Sequence, residues 1–256
     1  MTEAGKFLWY ELMTTDTKAA GEFYSHVIGW KRELAPNESG NSPYTLFLVG
    51  DMGIGGMMAI PEEECDRAKP GWIGYIGVDD VDAYARRVVD AGGSILREPS
   101  DVPGILRFAM VADPAGAAFV IFHGMAGPMQ LPATGTQGTT GWHELVSGEV
   151  EPTFAFYSGL FGWTKDQAMD MGGGNIYQLF ATGGEAVGAM MKVNAEDPVP
   201  GWHFYFCVDD IDAAISRIHE KEGEILMGPH QVPGDAWIVV GRDPQGARFS
   251  LVGARQ

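Results

Sequence analysis

The sequence predicts an α+β protein made of one module written twice. Three observations carry that reading. The first is an echo: "FYSHVIGW" at Phe23–Trp30 returns as "FYSGLFGW" at Phe156–Trp163, a shift of 133 positions (156 − 23). At the same shift Trp9 and Glu11 return as Trp142 and Glu144, Tyr44 as Tyr177, and Met57–Met58 as Met190–Met191. The second is a three-residue deletion after Met191, which lowers the shift to 130 (202 − 72) and aligns "PGWIGYIGVDDVD" with "PGWHFYFCVDDID" and "DPAGAAF" with "DPQGARF". The third is the hydrophobic pattern, which switches between a period of 2 and one near 3.6 in the same order in both copies. That order predicts a βαβββ unit twice per module and four such units in the chain.

Each element follows from its residues. In "FLWYELM", residues 7–13, Phe7, Trp9, Glu11 and Met13 share one face of a strand and Leu8, Tyr10 and Leu12 the other. Asp16 can cap the helix that follows and Gly29 can end it, with Ala20, Phe23, Tyr24, Val27 and Ile28 as its apolar stripe. Short strands are expected near Trp30–Leu34, Tyr44–Val49 and Ile54–Ile60. "WIGYIGV", Trp72–Val78, is the next strand. Asp79–Asp80 cap a helix striped by Val81, Tyr84, Ala85, Val88 and Val89 and stopped at Gly92. Strands near Ser94–Arg97, Leu106–Ala112 and Ala117–Phe122 complete the module, the last two joined by a "DPAG" turn. In the second copy the helices fall near Glu151–Leu160 and Asp210–Glu222. The domains are therefore residues 1–123 and 141–256, and the Gly-, Thr- and Pro-rich residues 124–140 read as a mobile linker.

Composition bounds the function. With 256 residues, 45% of them hydrophobic, the chain has material for a substantial core, and no apolar run reaches the ~18 residues of a membrane span. The net charge of −17 disfavours phosphate backbones, so neither nucleic acid nor membrane is an expected partner. "MTEAGKF" has no basic region followed by an apolar stretch, and Cys65 and Cys207 occupy non-equivalent positions. A cytoplasmic protein without a disulfide framework is the expectation. "MGIGGMM" and "MGGGN" lack the spacing of phosphate loops, and no G-x-S-x-G, H-E-x-x-H or C-x-x-C occurs.

The segments "TTD…AAGEFYSHVIGW", "GVDDVDAYARRVVDAGGSI" and "DPAGAAFVIF" resemble the vicinal oxygen chelate superfamily, which includes glyoxalase I, bleomycin resistance proteins and extradiol dioxygenases. The resemblance spans nearly the whole chain, twice, and the "W-x-E-L" opening and "DPxGA" turn are similar to a two-module, glyoxalase-like "hydroxylase" branch. It implies that paired βαβββ units curl into two open barrels whose concave faces carry a divalent metal on His or Gln, His and Glu. Those positions map onto Trp9, Ile73 and Val120 in the first module and onto Trp142, His203 and Ser250 in the second. Only His203 is a competent ligand, and one imidazole falls short of the three or four donors such a metal needs, so no cofactor is expected.

Beside the lost ligand positions stand the site candidates. Glu11 and Glu144 lie two residues beyond the first of them, on the same strand face, where a carboxylate can act as general base or merely bond at the mouth of the barrel. His203 and Tyr205 share a face by alternation, so Glu144, His203 and Tyr205 form a candidate catalytic set; a hydrogen-bonded core histidine is the alternative. Trp9, Glu11, Tyr75, Trp142, Met58, Met191 and Ser250 are candidate ligand-binding residues. His143, on the opposite face from Glu144, reads as packed, and Asp101 and His230 as loop residues near a cavity rim. Three functions fit: an enzyme acting on an aromatic or carbonyl-bearing small molecule, a metal-free sequestering protein, and a non-catalytic interaction module.

Overall fold

The computed structural model describes residues 4–36, 43–64, 68–125, 127, 129–195 and 198–256, without the side chain of residue 64; Cys65 lies outside this set. The first copy runs β1 (Phe7–Thr14), α1 (Thr17–Ile28), β2 (Lys31–Leu34), β3 (Thr45–Val49), β4 (Met52–Ala59), β5 (Gly71–Gly77), α2 (Val81–Asp90), β6 (Ser94–Val102), β7 (Leu106–Ala112) and β8 (Ala118–Gly124). The second runs β9 (Thr140–Ser147), α3 (Val150–Phe161), β10 (Thr164–Asp170), β11 (Ile176–Ala181), β12 (Ala186–Lys192), β13 (Gly201–Val208), α4 (Ile211–Glu220), β14 (Glu224–Val232), β15 (Ala236–Arg242) and β16 (Arg248–Gly253). Four βαβββ units are present, as the pattern predicts. They form two open eight-stranded sheets of the same order, β2-β3-β4-β1-β5-β8-β7-β6 and β10-β11-β12-β9-β13-β16-β15-β14. The three-residue deletion falls between β12 and β13.

Helix ends follow the expected capping chemistry. Asp16 and Asp80 accept from Ala19 N and Ala83 N at 2.9 Å, and Asp210 accepts from Asp212 N at 2.9 Å. Gly29 and Gly162 end α1 and α3 in the left-handed region, at φ 93° and 71°. Asp209, the neighbour of the cap Asp210, is paired to Arg217, whose hydrogen bond holds its carboxyl below the usual range.

The chain condenses into two compact units, and each takes one half of each copy: Met1–Leu8, Ile73–Met129 and His143–His203 form the first, and Trp9–Trp72, Gln130–Trp142 and Phe204–Gln256 the second. Equivalent residues stitch each unit. In the second, the Tyr24 hydroxyl donates to Asp243 Oδ2 at 3.0 Å and accepts from Trp72 Nε1 at 3.0 Å. In the first, the Tyr157 hydroxyl lies 3.4 Å from Asp113 Oδ2 and accepts from Trp202 Nε1 at 3.2 Å; Ser147 Oγ donates to the same carboxylate oxygen at 2.7 Å. The other oxygen of each aspartate is held by its own turn, through the N–H groups of Ala115 and Ala117 or of Gln245 and Ala247. So the tyrosine of "FYS", the tryptophan of "PGW" and the aspartate of "DPxG" converge, with the aspartate always from the other copy. Burial and the neighbouring carboxylate push the Tyr24 phenol well above its ordinary pKa, and burial raises Asp243.

A second stitch is also repeated. Arg87 donates to Gly159 O and Leu160 O at the end of α3, and its equivalent Arg217 donates to Val27 O at the end of α1. Each guanidinium satisfies C-terminal carbonyls of a helix from the other copy. Aromatic packing fills the rest: Trp30 lies 4.8 Å from Phe47 and 4.9 Å from Phe206, and Trp163 stacks on Phe180 at 4.5 Å. The full α1 stripe, Ala20, Phe23, Tyr24, Val27 and Ile28, is buried, each large member contributing about 2 kcal/mol by transfer from water.

Four expectations are corrected. Val89 is 49% exposed, because the buried face of α2 is the narrower set Val81, Ala85 and Val88. β6 continues to Val102, through two register shifts against β7, so Asp101 lies in a strand, paired to Arg107 at 2.9 Å; His230 is likewise within β14. Tyr44 precedes β3 rather than opening it. The C-terminal part of the linker is anchored: Trp30 Nε1 donates to Gly138 O at 2.8 Å, Gly138 N to Cys207 O, and Gln137 Nε2 to Ile28 O.

Candidate functional site

Strand alternation sorts β1 into a closed face, with Leu8, Tyr10 and Leu12 buried, and a more open one carrying Trp9, Glu11 and Met13. Glu11, 9% exposed, is nearly covered because Tyr44 lies over it. The Tyr44 hydroxyl donates to Glu11 Oε2 at 2.8 Å and accepts from Trp9 Nε1 at 3.0 Å. Directly across the β1–β4 ladder from Glu11 is Gly56, and from Met13 is Met58. Met58 is half-buried, whereas Met57 is core.

The second copy repeats the carboxylate–phenol pair. Tyr177 donates to Glu144 Oε2 at 2.9 Å, and Glu144 stands across the ladder from Ala189. Glu144 and Trp142 are half-buried on this face, as is Met191, while Met190 is core. On β13, Trp202, Phe204 and Phe206 point to the core side, Phe204 lying 5.1 Å from Tyr10. His203 and Tyr205 take the other face, His203 half-buried and Tyr205 only 3% exposed. Tyr205 pairs with Ser250 across the β13–β16 ladder, and both are sealed, as is Tyr75 opposite Val120 on β8. Glu144 and His203 belong to the first compact unit, and Tyr205, Ser250, Trp9 and Glu11 to the second.

The phenols that bond the two carboxylates are Tyr44 and Tyr177, which stand in the sequence as repeated positions and, for Tyr44, as the expected start of a strand, with no site role. A signal existed: the separations 44 − 11 and 177 − 144 are both 33. His143 is packed, as expected. It stacks on Phe7 at 4.6 Å, its Nδ1 lies 2.8 Å from Val187 O, and burial lowers its pKa to about 4, so the ring is neutral at pH 7. His123 lies in β8, its Nδ1 bonded to Val78 O. A separate surface crevice of about 210 Å³, lined by Glu149, Glu151, Ile176 and Lys192 among others, has its lysine paired to Glu149.

The donor set does not fit the metal that the fold's resemblance implies. The three positions hold Trp, Ile and Val in one copy and Trp, His and Ser in the other, and among the described residues no three His, Cys, Asp or Glu side chains come together as a metal site.

Fold and repeat agree with direct comparison. The chain belongs to the Glyoxalase/Bleomycin resistance protein/Dioxygenase superfamily, whose model it matches over residues 6–121 and 139–251. It is 32% identical to a Mycobacterium tuberculosis protein named "Putative glyoxylase CFP32" over 250 residues, covering 95% of this chain and 93% of that protein. It is 30% identical to the anthracycline biosynthesis protein DnrV of Streptomyces peucetius, covering 97% of this chain and 93% of that one. Among solved structures, the 2,3-dioxygenase LapB of Pseudomonas sp. KL28 superposes with a TM-score of 0.67 at 12% identity, covering 100% of this chain and 94% of that one; at that identity the likeness shows the fold alone. Among the described residues no helix is long and apolar enough to cross a membrane.

Proposed function

We propose that this superfamily member takes an aromatic, carbonyl-bearing small molecule on its open sheet faces and acts on it without a resident metal. The supporting observation is the carboxylate–phenol pair, Glu11–Tyr44 and Glu144–Tyr177, set on those faces where the metal positions carry non-ligands except for His203. A carboxylate with a phenol in hydrogen-bond reach has the parts of an acid–base pair. Glu144 would accept a proton from a carbon next to the ligand's carbonyl, and the Tyr177 hydroxyl or the His203 ring would then donate to the enolate oxygen. Met191, half-buried on the same compact unit as Glu144 and His203, would flank them, and Trp9 and Met58 would flank Glu11 on the other unit. The name of the Streptomyces relative, an anthracycline biosynthesis protein, suggests a fused aromatic ketone as the ligand class.

The lost metal positions also favour a second reading, capture of the same ligand without turnover, as a bleomycin-resistance-like protein would do. 2-Acetylnaphthalene in D2O separates the two. Binding with deuterium exchange at the methyl group, lost in Glu144→Gln and reduced in His203→Ile, supports acid–base action by the second copy. Binding without exchange supports sequestration. No binding overturns both.

A further inference from the structure

The glycines of β4 make a floor. A methyl group added at Gly53 would meet the Trp9 ring, 3.2 and 3.3 Å from two of its carbons, and one added at Gly56 would fall on the Tyr44 ring and hydroxyl. Trp9 and Tyr44 therefore lie against bare backbone. The second copy has Ala186 and Ala189 at these positions, so only the first copy keeps the floor. Strand packing does not require it. The glycine that packing does require is the one between, where a methyl at Gly55 would strike Tyr10 O, and its equivalent Gly188 faces His143 O; both copies retain it.

What rests on that floor is a phenol held at both ends of its hydrogen-bonding capacity. The Tyr44 hydroxyl has one proton and gives it to Glu11, and it accepts from the indole N–H of Trp9. The residue stands outside β3, tied to the sheet edge by Ala35 N donating to Tyr44 O at 2.9 Å. A flat floor, a carboxylate acceptor and an indole donor are what a hydroxyaromatic ligand would need, in the arrangement it would need them.

We propose that Tyr44 occupies a phenol-recognition subsite of the first copy, and that a hydroxyaromatic ligand binds there by displacing the Tyr44 ring from Gly56. The ligand's hydroxyl then donates to Glu11 and accepts from Trp9. This rests on the reading of the open faces as ligand surfaces, and it makes Gly56 the residue that gives the first copy a flatter floor than the second, where Tyr177 reaches Glu144 over Ala189.

The test is fluorine NMR titration of the full chain with 4-fluorophenol and with 4-fluoroanisole, its methyl ether, which has no proton for Glu11. The phenol should bind at least roughly tenfold more tightly than the ether, the worth of one charge-assisted hydrogen bond. Gly56→Ala puts a methyl where the ring lies and should weaken binding several-fold with the circular dichroism spectrum unchanged. Trp9→Phe, which keeps an aromatic ring but loses the donor, should weaken it several-fold. Tyr44→Ala removes the competitor and should tighten it while keeping the preference for phenol over ether. Equal binding of phenol and ether overturns the proposal. So does undiminished binding to Gly56→Ala, or binding by Tyr44→Ala alone, which would make Tyr44 a fixed part of the wall. Should 4-fluorophenol fail while 2-acetylnaphthalene still binds, the subsite falls and the proposed function stands.

Discussion

Removing one hydroxyl from the second compact unit, by Tyr24→Phe, tests the account of how the two copies interlock. Tyr24 is fully buried, and its hydroxyl is the partner of Asp243 Oδ2 at 3.0 Å. The substitution keeps the ring, so packing against Phe23 and Trp72 is retained and the loss is polar. A hydrogen bond to a buried carboxylate is worth about 1.5–3 kcal/mol, and the orphaned N–H of the half-buried Trp72 adds less. The expected cost is about 3 kcal/mol. In the first unit Tyr157→Phe should cost only about 1–2 kcal/mol, because its contact to Asp113 is long, at 3.4 Å, and Ser147 still donates to the same oxygen at 2.7 Å. The double change Ser147→Ala with Tyr157→Phe removes both donors and should cost more than the sum of the single changes. Urea denaturation with a shared slope would measure all three, and for a chain of this size 3 kcal/mol corresponds to a fall in Tm of about 6–12 °C. Tyr24→Phe within about 0.5 kcal/mol of the parent protein would refute the reasoning, for it would place the network among surface interactions.

Two further outcomes follow from single residues. His143, its pKa lowered to about 4 by burial, binds fewer protons folded than unfolded between pH 6.5 and 4; stability should fall as pH drops through that window, by up to about 3 kcal/mol, and His143→Gln should flatten this limb of the stability–pH curve. Gly188→Ala sets a methyl against the His143 carbonyl oxygen, backbone that cannot step aside, and should destabilise by more than 2 kcal/mol on the order of other overpacked sites, whereas Gly56→Ala meets a side chain that can swing away and should cost about 1 kcal/mol or less in thermal melts.

Much of the fold was legible because the chain states it twice. Helix caps at Asp16, Asp80 and Asp210, the turn at Asp113 and the succession of elements along the chain needed only local pattern and the echo. What the echo cannot say is which copy a repeated residue meets. Tyr24 stands in the same copy as Asp113, yet it bonds Asp243 of the other copy, because the compact units cross the copies. The open-face carboxylates Glu11 and Glu144 were found by alternation, since β-strand period is a local property. Their phenolic partners lie 33 residues away, beyond any local period, and Tyr44 in particular stands outside a strand. The role of Gly56 was hidden for another reason: a glycine-rich strand reads as weak structure until the ring lying on it is seen.

The central claim, that the open faces hold an aromatic ligand by carboxylate and phenol rather than by a metal, is tested most directly by titrating 2-acetylnaphthalene into the protein before and after exhaustive chelation, with metal content measured on the same samples. The same dissociation constant in both and substoichiometric metal throughout are expected. A metal bound at one or more per chain, with ligand binding lost on its removal and restored on its return, would contradict it.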